Sequence, residues 1–275
     1  MTYRQWINEL GSILENLGEE KEALIFAFKE KKGWSTTDFA LHQAKEITPD
    51  DKRLLEAIFE HLKAHKPVQH YLGYAYFKDL TLTVTSDVLI PRPETEELVN
   101  LILSKHDSKP LKVLDIGTGS GAIAVALKAQ RPNWTVTAVD ISDAALKIAR
   151  HNGKQLGLNI EWLQSDVFSH VSGEFDLIVS NPPYIAREDT GEVGLNVLNH
   201  EPHEALFAED DGYAIYQRIS QEASAFLSKN GQIYLEIGFK QGKKVKALLE
   251  QYFPHRQVSV LKDSFGKDRM VVLGK

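Results

Sequence analysis

Up to about residue 70, apolar side chains recur three and four positions apart, as in Trp6, Leu10, Ile13, Leu14 and Leu17 and again in Leu54, Leu55, Ile58 and Leu62. With 3.6 residues per turn, that spacing gathers them into one stripe per helix, and the segment reads as a small helical domain. Asp38 and Thr48 are the expected N-caps, and Pro49 suits the helical turn that Thr48 opens. Between residues 71 and 90 the period drops to two, with Leu80, Leu82 and Val84 set between threonines, which predicts a β-hairpin linker. Beyond Pro93 the pattern changes again, to strands alternating with helices. Strands are expected at 112–116, 135–140, 160–164, 175–180, 232–237, 258–261 and 270–273, with helices at 122–129, 144–156, 213–227 and 243–252. This alternation predicts an α/β domain over 91–275, a doubly wound sheet whose ligand lies at the carboxyl ends of the strands. The last two strands are joined by too few residues for a crossover helix, so they should pair antiparallel.

A length of 275 residues exceeds the roughly 100 to 200 usual for one domain, in keeping with a division into 1–70, 71–90 and 91–275. Cysteine is absent, which excludes thiol nucleophiles, zinc–thiolate sites and iron–sulfur clusters. No segment approaches the ~18 apolar residues of a membrane span, and the first residues carry no secretory pattern, so a soluble cytoplasmic protein without membrane contact is expected. Asp and Glu outnumber Lys and Arg by 38 to 32, spread along the chain. A protein that grips nucleic acid through phosphates shows the opposite bias, so stable nucleic-acid binding is not expected.

The first α/β strand runs into a glycine-rich turn, Gly117-Thr118-Gly119-Ser120-Gly121, followed at once by a helical stretch. Glycine permits positive φ and close approach of a ligand, and a helix start presents free N–H donors. Nineteen residues beyond Gly121, the second strand ends in Asp140, whose carboxylate can accept from both hydroxyls of a ribose. The turn alone does not choose the nucleotide, because Gly117, Gly119 and Ala122 also satisfy the GxGxxA form of the NAD fingerprint.

The fourth strand ends in Asn181-Pro182-Pro183-Tyr184. Two prolines fix φ and remove two N–H groups, leaving carbonyl acceptors without competing donors on a stiff loop. The Asn181 oxygen with a proline carbonyl would suit a planar NH2 group, and Tyr184 could pack on its face. An amide or aromatic amine nitrogen is a poor nucleophile because its lone pair is delocalised. Two preorganised acceptors orient that lone pair and stabilise the positive charge that develops on nitrogen, the oxyanion-hole argument with its sign reversed.

The glycine turn, Asp140 and the Asn-Pro-Pro-Tyr loop, in this order, resemble a class I S-adenosylmethionine-dependent methyltransferase acting on a planar nitrogen. Two further stretches narrow the resemblance: Ile90-Pro91-Arg92-Pro93-Glu94-Thr95-Glu96-Glu97 before the first strand, and Glu201-Pro202 with Ala205-Leu206 after the loop. With the helical N-terminal domain, the whole chain resembles the protein-(glutamine-N5) methyltransferases of peptide chain release factors, the HemK or PrmC family. The resemblance implies a Rossmann-like class I methyltransferase sheet, mostly parallel with its last strand antiparallel. It implies methyl transfer from S-adenosyl-L-methionine to the glutamine of the Gly-Gly-Gln motif of release factors, S-adenosyl-L-homocysteine being the product. By motif, Gly117, Thr118, Gly119, Ser120 and Gly121 would cradle the cofactor and Asp140 would hold its ribose. Asp166 and Phe168 would flank the adenine, Phe168 as an apolar or stacking wall, while Asn181, Pro182, Pro183 and Tyr184 would hold the substrate amide, Asn181 counting among the cofactor-binding residues as well. A release factor is then the expected partner of a monomeric enzyme, gripped by the N-terminal domain. A nucleic-acid adenine-N6 or guanine-N2 methyltransferase shares the Asn-Pro-Pro-Tyr chemistry and stays as the alternative. The pairs His61/His65 and His200/His203 lack an accompanying HExxH or carboxylate cluster, and no metal site is expected. Glu94, Glu96 and Glu97 suit the positive end of a helix opened by Pro93.

Overall fold

The computed structural model describes residues 1–192 and 194–274; Val193 and Lys275 lie outside the described residues. The chain divides into two units, Met1–Tyr74 with Val193–His200, and Ala75–Glu192 with Glu201–Lys275.

The first unit opens with five helices: α1 (Tyr3–Asn16), α2 (Lys21–Lys32), α3 (Thr36–His42), α4 (Pro49–Lys63) and α5 (Val68–Leu72). The apolar stripes meet in one core that includes Ile7, Leu14, Leu24, Phe28, Leu55 and Ile58. Inside it the Asp51 carboxylate accepts from Tyr3 Oη at 2.5 Å and from Lys32 Nζ at 2.7 Å, so one buried acid ties α1, α2 and α4 together with its charge paired. Thr48 caps α4 as expected, its Oγ1 accepting from Asp51 N at 3.2 Å. The cap of α3 is Ser35, not Asp38. Ser35 Oγ accepts from Asp38 N at 3.1 Å and the Asp38 carboxylate accepts from Ser35 N at 2.9 Å, a reciprocal box that places Asp38 in the first turn.

The hairpin is shorter than expected, β1 (Tyr74–Phe77) and β2 (Leu80–Thr83), because residues 71 and 72 complete α5 and 84–90 run unpaired. Its buried residues Phe77 and Leu82 join the core of the second unit. The strands that follow are β3 (Lys112–Ile116), β4 (Thr135–Asp140), β5 (Glu161–Gln164), β6 (Phe175–Ser180), β7 (Ile185–Ala186), β8 (Phe207–Ala208), β9 (Leu227–Glu236), β10 (Val258–Lys262) and β11 (Asp268–Leu273). The helices among them are α6 (Pro93–Lys105), α7 (Ala122–Gln130), α8 (Asp143–Gln155), α9 (Leu195–His200), α10 (His203–Leu206), α11 (Glu209–Gly212), α12 (Ala214–Glu222) and α13 (Gly242–Tyr252). The expected helix 213–227 is cut short at residue 222 by a 3₁₀ turn, and β9 begins five residues before its expected start at 232.

Seven strands form one sheet in the order β10-β11-β9-β6-β3-β4-β5, parallel except for β11, which runs antiparallel to both neighbours. Side chains alternate across it: Val113, Leu177 and Val179 face a core shared with α6 and α7, while Leu114, Ile116 and Ile178 face one shared with α12 and α13. Helices on both faces explain the nearly unbroken apolar strand sequences. From β3 the chain steps outward to β4 and β5, then crosses to β6 on the other side of β3. The strand order therefore reverses at the β3–β6 pair, where a doubly wound sheet opens its binding crevice. Ile116 and Ser180 are partners in the ladder, so Gly117 and Asn181 leave the sheet side by side.

Candidate active site

A cavity of about 950 Å³ opens beyond the carboxyl ends of β3, β4 and β6. On one side lies the glycine turn. Gly117 N and Thr118 N both donate to Val139 O, at 2.9 and 3.0 Å, which folds the turn back against β4. Gly117 and Gly119 have φ of 70° and 55°. A Cβ on either would meet nothing within 4 Å, so these positions leave backbone open to the cavity. A Cβ on Gly121 would instead press within 3.1 Å of Trp162 and 3.2 Å of Ala149, which makes that glycine a packing requirement. Ser120 is buried, and its carbonyl accepts from Asn152 Nδ2 at 2.9 Å.

Asp140 sits at the end of β4 with one oxygen accepting from Gly119 N at 2.8 Å and the other from Ser142 N at 2.9 Å. Burial pushes its carboxyl above the usual range against the pull of these N–H groups. An ionised carboxylate offers about four lone-pair sites, so acceptor capacity remains for hydroxyls in the cavity that Asp140 lines. Beneath the turn, Asp115 is fully buried; Thr118 Oγ1 donates to its Oδ2 at 2.6 Å and Ala124 N at 3.2 Å. Its Oδ1 has no partner among the described residues, and desolvation raises the carboxyl to about 7.

After β5, Asp166 lines the cavity and is held by Arg218, whose Nη1 donates to its Oδ1 at 2.6 Å. Phe168 is not on the cavity wall. Its ring stacks on Phe226 in the core, centroids 4.6 Å apart and planes within 7°. Val167 takes the wall position instead, with φ of 51°, a left-handed conformation rare for a β-branched residue.

Across the cavity, Asn181, Pro182 and Pro183 line the wall. The Asn181 amide donates from Nδ2 to Thr95 Oγ1 at 3.0 Å, and Thr95 Oγ1 donates to Glu236 Oε2 at 2.7 Å. Neither Asn181 Oδ1 nor the Pro182 and Pro183 carbonyls accept a hydrogen bond from the described residues. Tyr184 does not line the cavity. It packs against the core on the α12 and α13 side, and its carbonyl accepts from Gln241 Nε2 at 2.9 Å, so it anchors the loop. Ser180 Oγ donates to Ile116 O at 2.7 Å and stitches the two strand ends. The segment before α6 is strapped down by Glu201, whose carboxylate accepts from Ile90 N at 3.0 Å and Arg92 Nη2 at 2.7 Å.

The sequence pattern gives no role to Thr95, which appears only within the stretch from Ile90 to Glu97, nor to Glu236 or Gln241. For the first two a signal existed: Thr95 heads the buried stripe Leu98, Val99, Ile102 of α6, and Glu236 stands in the apolar run from Ile233 to Ile237. A polar residue on a stripe that must be buried demands a partner. Gln241 carries no such mark. Among the described residues, no group of three or more His, Asp or Glu is placed to hold a metal ion.

Residues 95–207 match the family model "Methyltransferase small domain" and residues 5–73 match "PrmC N-terminal domain". The release factor glutamine methyltransferase of Streptococcus pneumoniae is 53% identical over 93% of this chain and 92% of its own length. The chain belongs to the release factor glutamine methyltransferase family. A second member, from Lactococcus lactis, is 44% identical over 97% of this chain and 98% of its own length. Membership of a methyltransferase family removes the dehydrogenase reading that the glycine turn had left open. The fold is shared more widely: a methyltransferase from Pyrococcus furiosus superposes with a TM-score of 0.55 at 20% identity, covering 80% of this chain and 97% of that one.

Proposed function

We propose that this methyltransferase moves a methyl group from S-adenosyl-L-methionine to the side-chain amide nitrogen (N5) of the glutamine in the Gly-Gly-Gln motif of peptide chain release factors. The observation that carries the reading is the trio of acceptors, Asn181 Oδ1 and the two proline carbonyls, that take no hydrogen bond from the described residues and line one cavity with the open glycine turn. The relatives named above are release factor glutamine methyltransferases, and they align over nearly the whole chain.

The residues present fit the cofactor: Gly117 and Gly119 leave a cradle that a Cβ would fill, and Asp140 retains acceptor capacity for a ribose. When bound, S-adenosylmethionine supplies a methyl carbon made electrophilic by its sulfonium. Thr118, Ser120 and Gly121 shape the cradle, Asp166 and Val167 border the adenine, and Phe168 backs that border from the core. Asn181 Oδ1 and the Pro182 or Pro183 carbonyl accept the two hydrogens of the glutamine amide, orient its lone pair and offset the positive charge that grows on nitrogen. Tyr184 stiffens the loop through its anchored carbonyl. The methylated nitrogen's extra proton is acidic and passes to water, so no strong base is required.

The helical N-terminal unit receives the release factor, the enzyme works as a cytoplasmic monomer, and no stable nucleic-acid complex forms. Incubation of the protein with cofactor and, in parallel, a release factor, duplex DNA and ribosomal RNA tests this. Mass spectrometry should find a gain of about 14 Da on the glutamine alone. Methylation of a nucleic acid with the release factor unchanged would overturn the reading.

A further inference from the structure

We propose that Thr95 and Glu236 are positioning residues that lock the Asn181 carboxamide with its oxygen toward the cavity, so that the site accepts a substrate amide and refuses a carboxylate. This rests on the glutamine-methyltransferase reading above. An asparagine amide is nearly symmetric in shape, and either end can face a ligand unless something fixes it. Here the fixing group is buried. Thr95 Oγ1 spends its only hydrogen on Glu236 Oε2 at 2.7 Å and therefore turns lone pairs toward Asn181. Only the NH2 end of Asn181 can sit 3.0 Å from those lone pairs, which leaves Oδ1 for the cavity. Thr95 and Glu236 are 4% and 1% exposed, so the assignment is made away from bulk water. The sheet sets the spacing: Ser180 and Leu235 are ladder partners, and the residues that follow them in the chain are Asn181 and Glu236. Thr95 reaches both from the first turn of α6.

The relay works in this sense only while Glu236 is ionised. A carboxylate can only accept; a protonated acid can donate to Thr95, whose hydrogen is then free to turn toward Asn181. Desolvation raises the Glu236 carboxyl to about 7, opposed by the Thr95 hydrogen bond and by Arg269 and Arg92, and assisted by Glu94. Tyr184 and Tyr216 are the other titratable groups that feel its charge. The rate should fall as pH drops through about 7.

The test uses the full-length enzyme carrying Thr95→Val, which keeps the volume and removes the hydroxyl. Expected are a kcat about 10- to 100-fold lower and a cofactor Kd within about twofold of the unaltered enzyme. Competition between two release factors, one with glutamine and one with glutamate at the methylated position, should show a preference for glutamine that shrinks about tenfold or more in the variant. Thr95→Ser should recover both rate and preference, and Glu236→Gln, which does not titrate, should lose the acid limb of kcat. A merely structural role would lower affinity for both release factors alike and leave the preference intact, overturning the proposal. It is likewise overturned if Thr95→Val keeps kcat and preference, or if the acid limb survives Glu236→Gln. Absence of methyl transfer by the unaltered enzyme would instead overturn the reading of the reaction, an outcome no comparison of variants can produce.

Discussion

At the scale of single residues, the proposed reaction divides binding and chemistry between two strand ends. Asn181→Ala removes one preorganised acceptor and should lower kcat roughly 10²- to 10³-fold, by analogy with the loss of one oxyanion-hole donor. Because Asn181 takes no part in the hydrogen bonds that fold the glycine turn or hold Asp140, calorimetry should find cofactor affinity nearly unchanged; equal losses of rate and affinity would make Asn181 a structural residue. Two glycines offer a sharper contrast. Gly119, at φ 55°, has open space where a Cβ would go, so Gly119→Ala should lower stability only by the left-handed strain, about 1–2 kcal/mol, while weakening cofactor binding. Gly212, at φ 83°, would bring a Cβ within 2.2 Å of the Tyr184 carbonyl oxygen. Backbone cannot yield there without moving the loop, so Gly212→Ala should destabilise by more and depress kcat more than affinity. Denaturation curves and calorimetry on the pair check both statements. If Gly119→Ala binds cofactor as tightly as the unaltered enzyme, the turn is not the cradle.

At the scale of elements, the candidate active site is built by register and by straps, and these differ in how far a sequence reveals them. The strands entering the site are legible because apolar runs bounded by Gly117 and by Asn181-Pro182 announce both the strand and its end. The α3 cap was misplaced because Ser35 and Asp38 are both good capping residues, and only the reciprocal bonding settles which of them precedes the first turn. The position of Phe168 was hidden for another reason: Val167 adopts a left-handed φ with nothing in its side chain to signal it, and that turn carries the next ring into the core. The short elements between 185 and 212 have no period long enough to read, yet they hold Gly212 and the strap residue Glu201. Glu201 is buried and closes the segment 87–92 over the cavity through Ile90 and Arg92. Glu201→Ala leaves the buried Ile90 N–H unpaired, which should lower stability by about 1–3 kcal/mol. Because Asp87, Val88 and Arg92 line the cavity, the same variant should raise the cofactor Kd. Unchanged Kd in a destabilised variant would confine the strap to folding.

At the scale of the whole molecule, the doubly wound sheet places acids where water cannot reach them, and this makes stability depend on pH in an unusual direction. Asp115 and Glu236 are both raised to about 7, chiefly by desolvation, and Asp140 is raised for the same first reason. In the unfolded chain such acids ionise near pH 4. Between about 4 and 7 the folded state therefore holds more protons than the unfolded state, and stability falls as pH rises through that window. The acids lowered by hydrogen bonds and cations, such as Asp38, Asp143 and Asp263, act the other way, but their contribution is lost only as pH falls below about 4. His61, lowered mainly by burial, opposes the trend near the top of the window, since its contribution fades as pH falls through 6.5. The paired substitution Asp115→Asn with Glu236→Gln isolates the two acids, because it removes their titration and leaves His61 in place. Urea denaturation of the unaltered enzyme should show a larger loss of stability from pH 5 to pH 8 than that of the double variant. Equal losses would mean that both carboxylates are already ionised at pH 5, and with that the acid limb assigned to Glu236 would lose its physical basis.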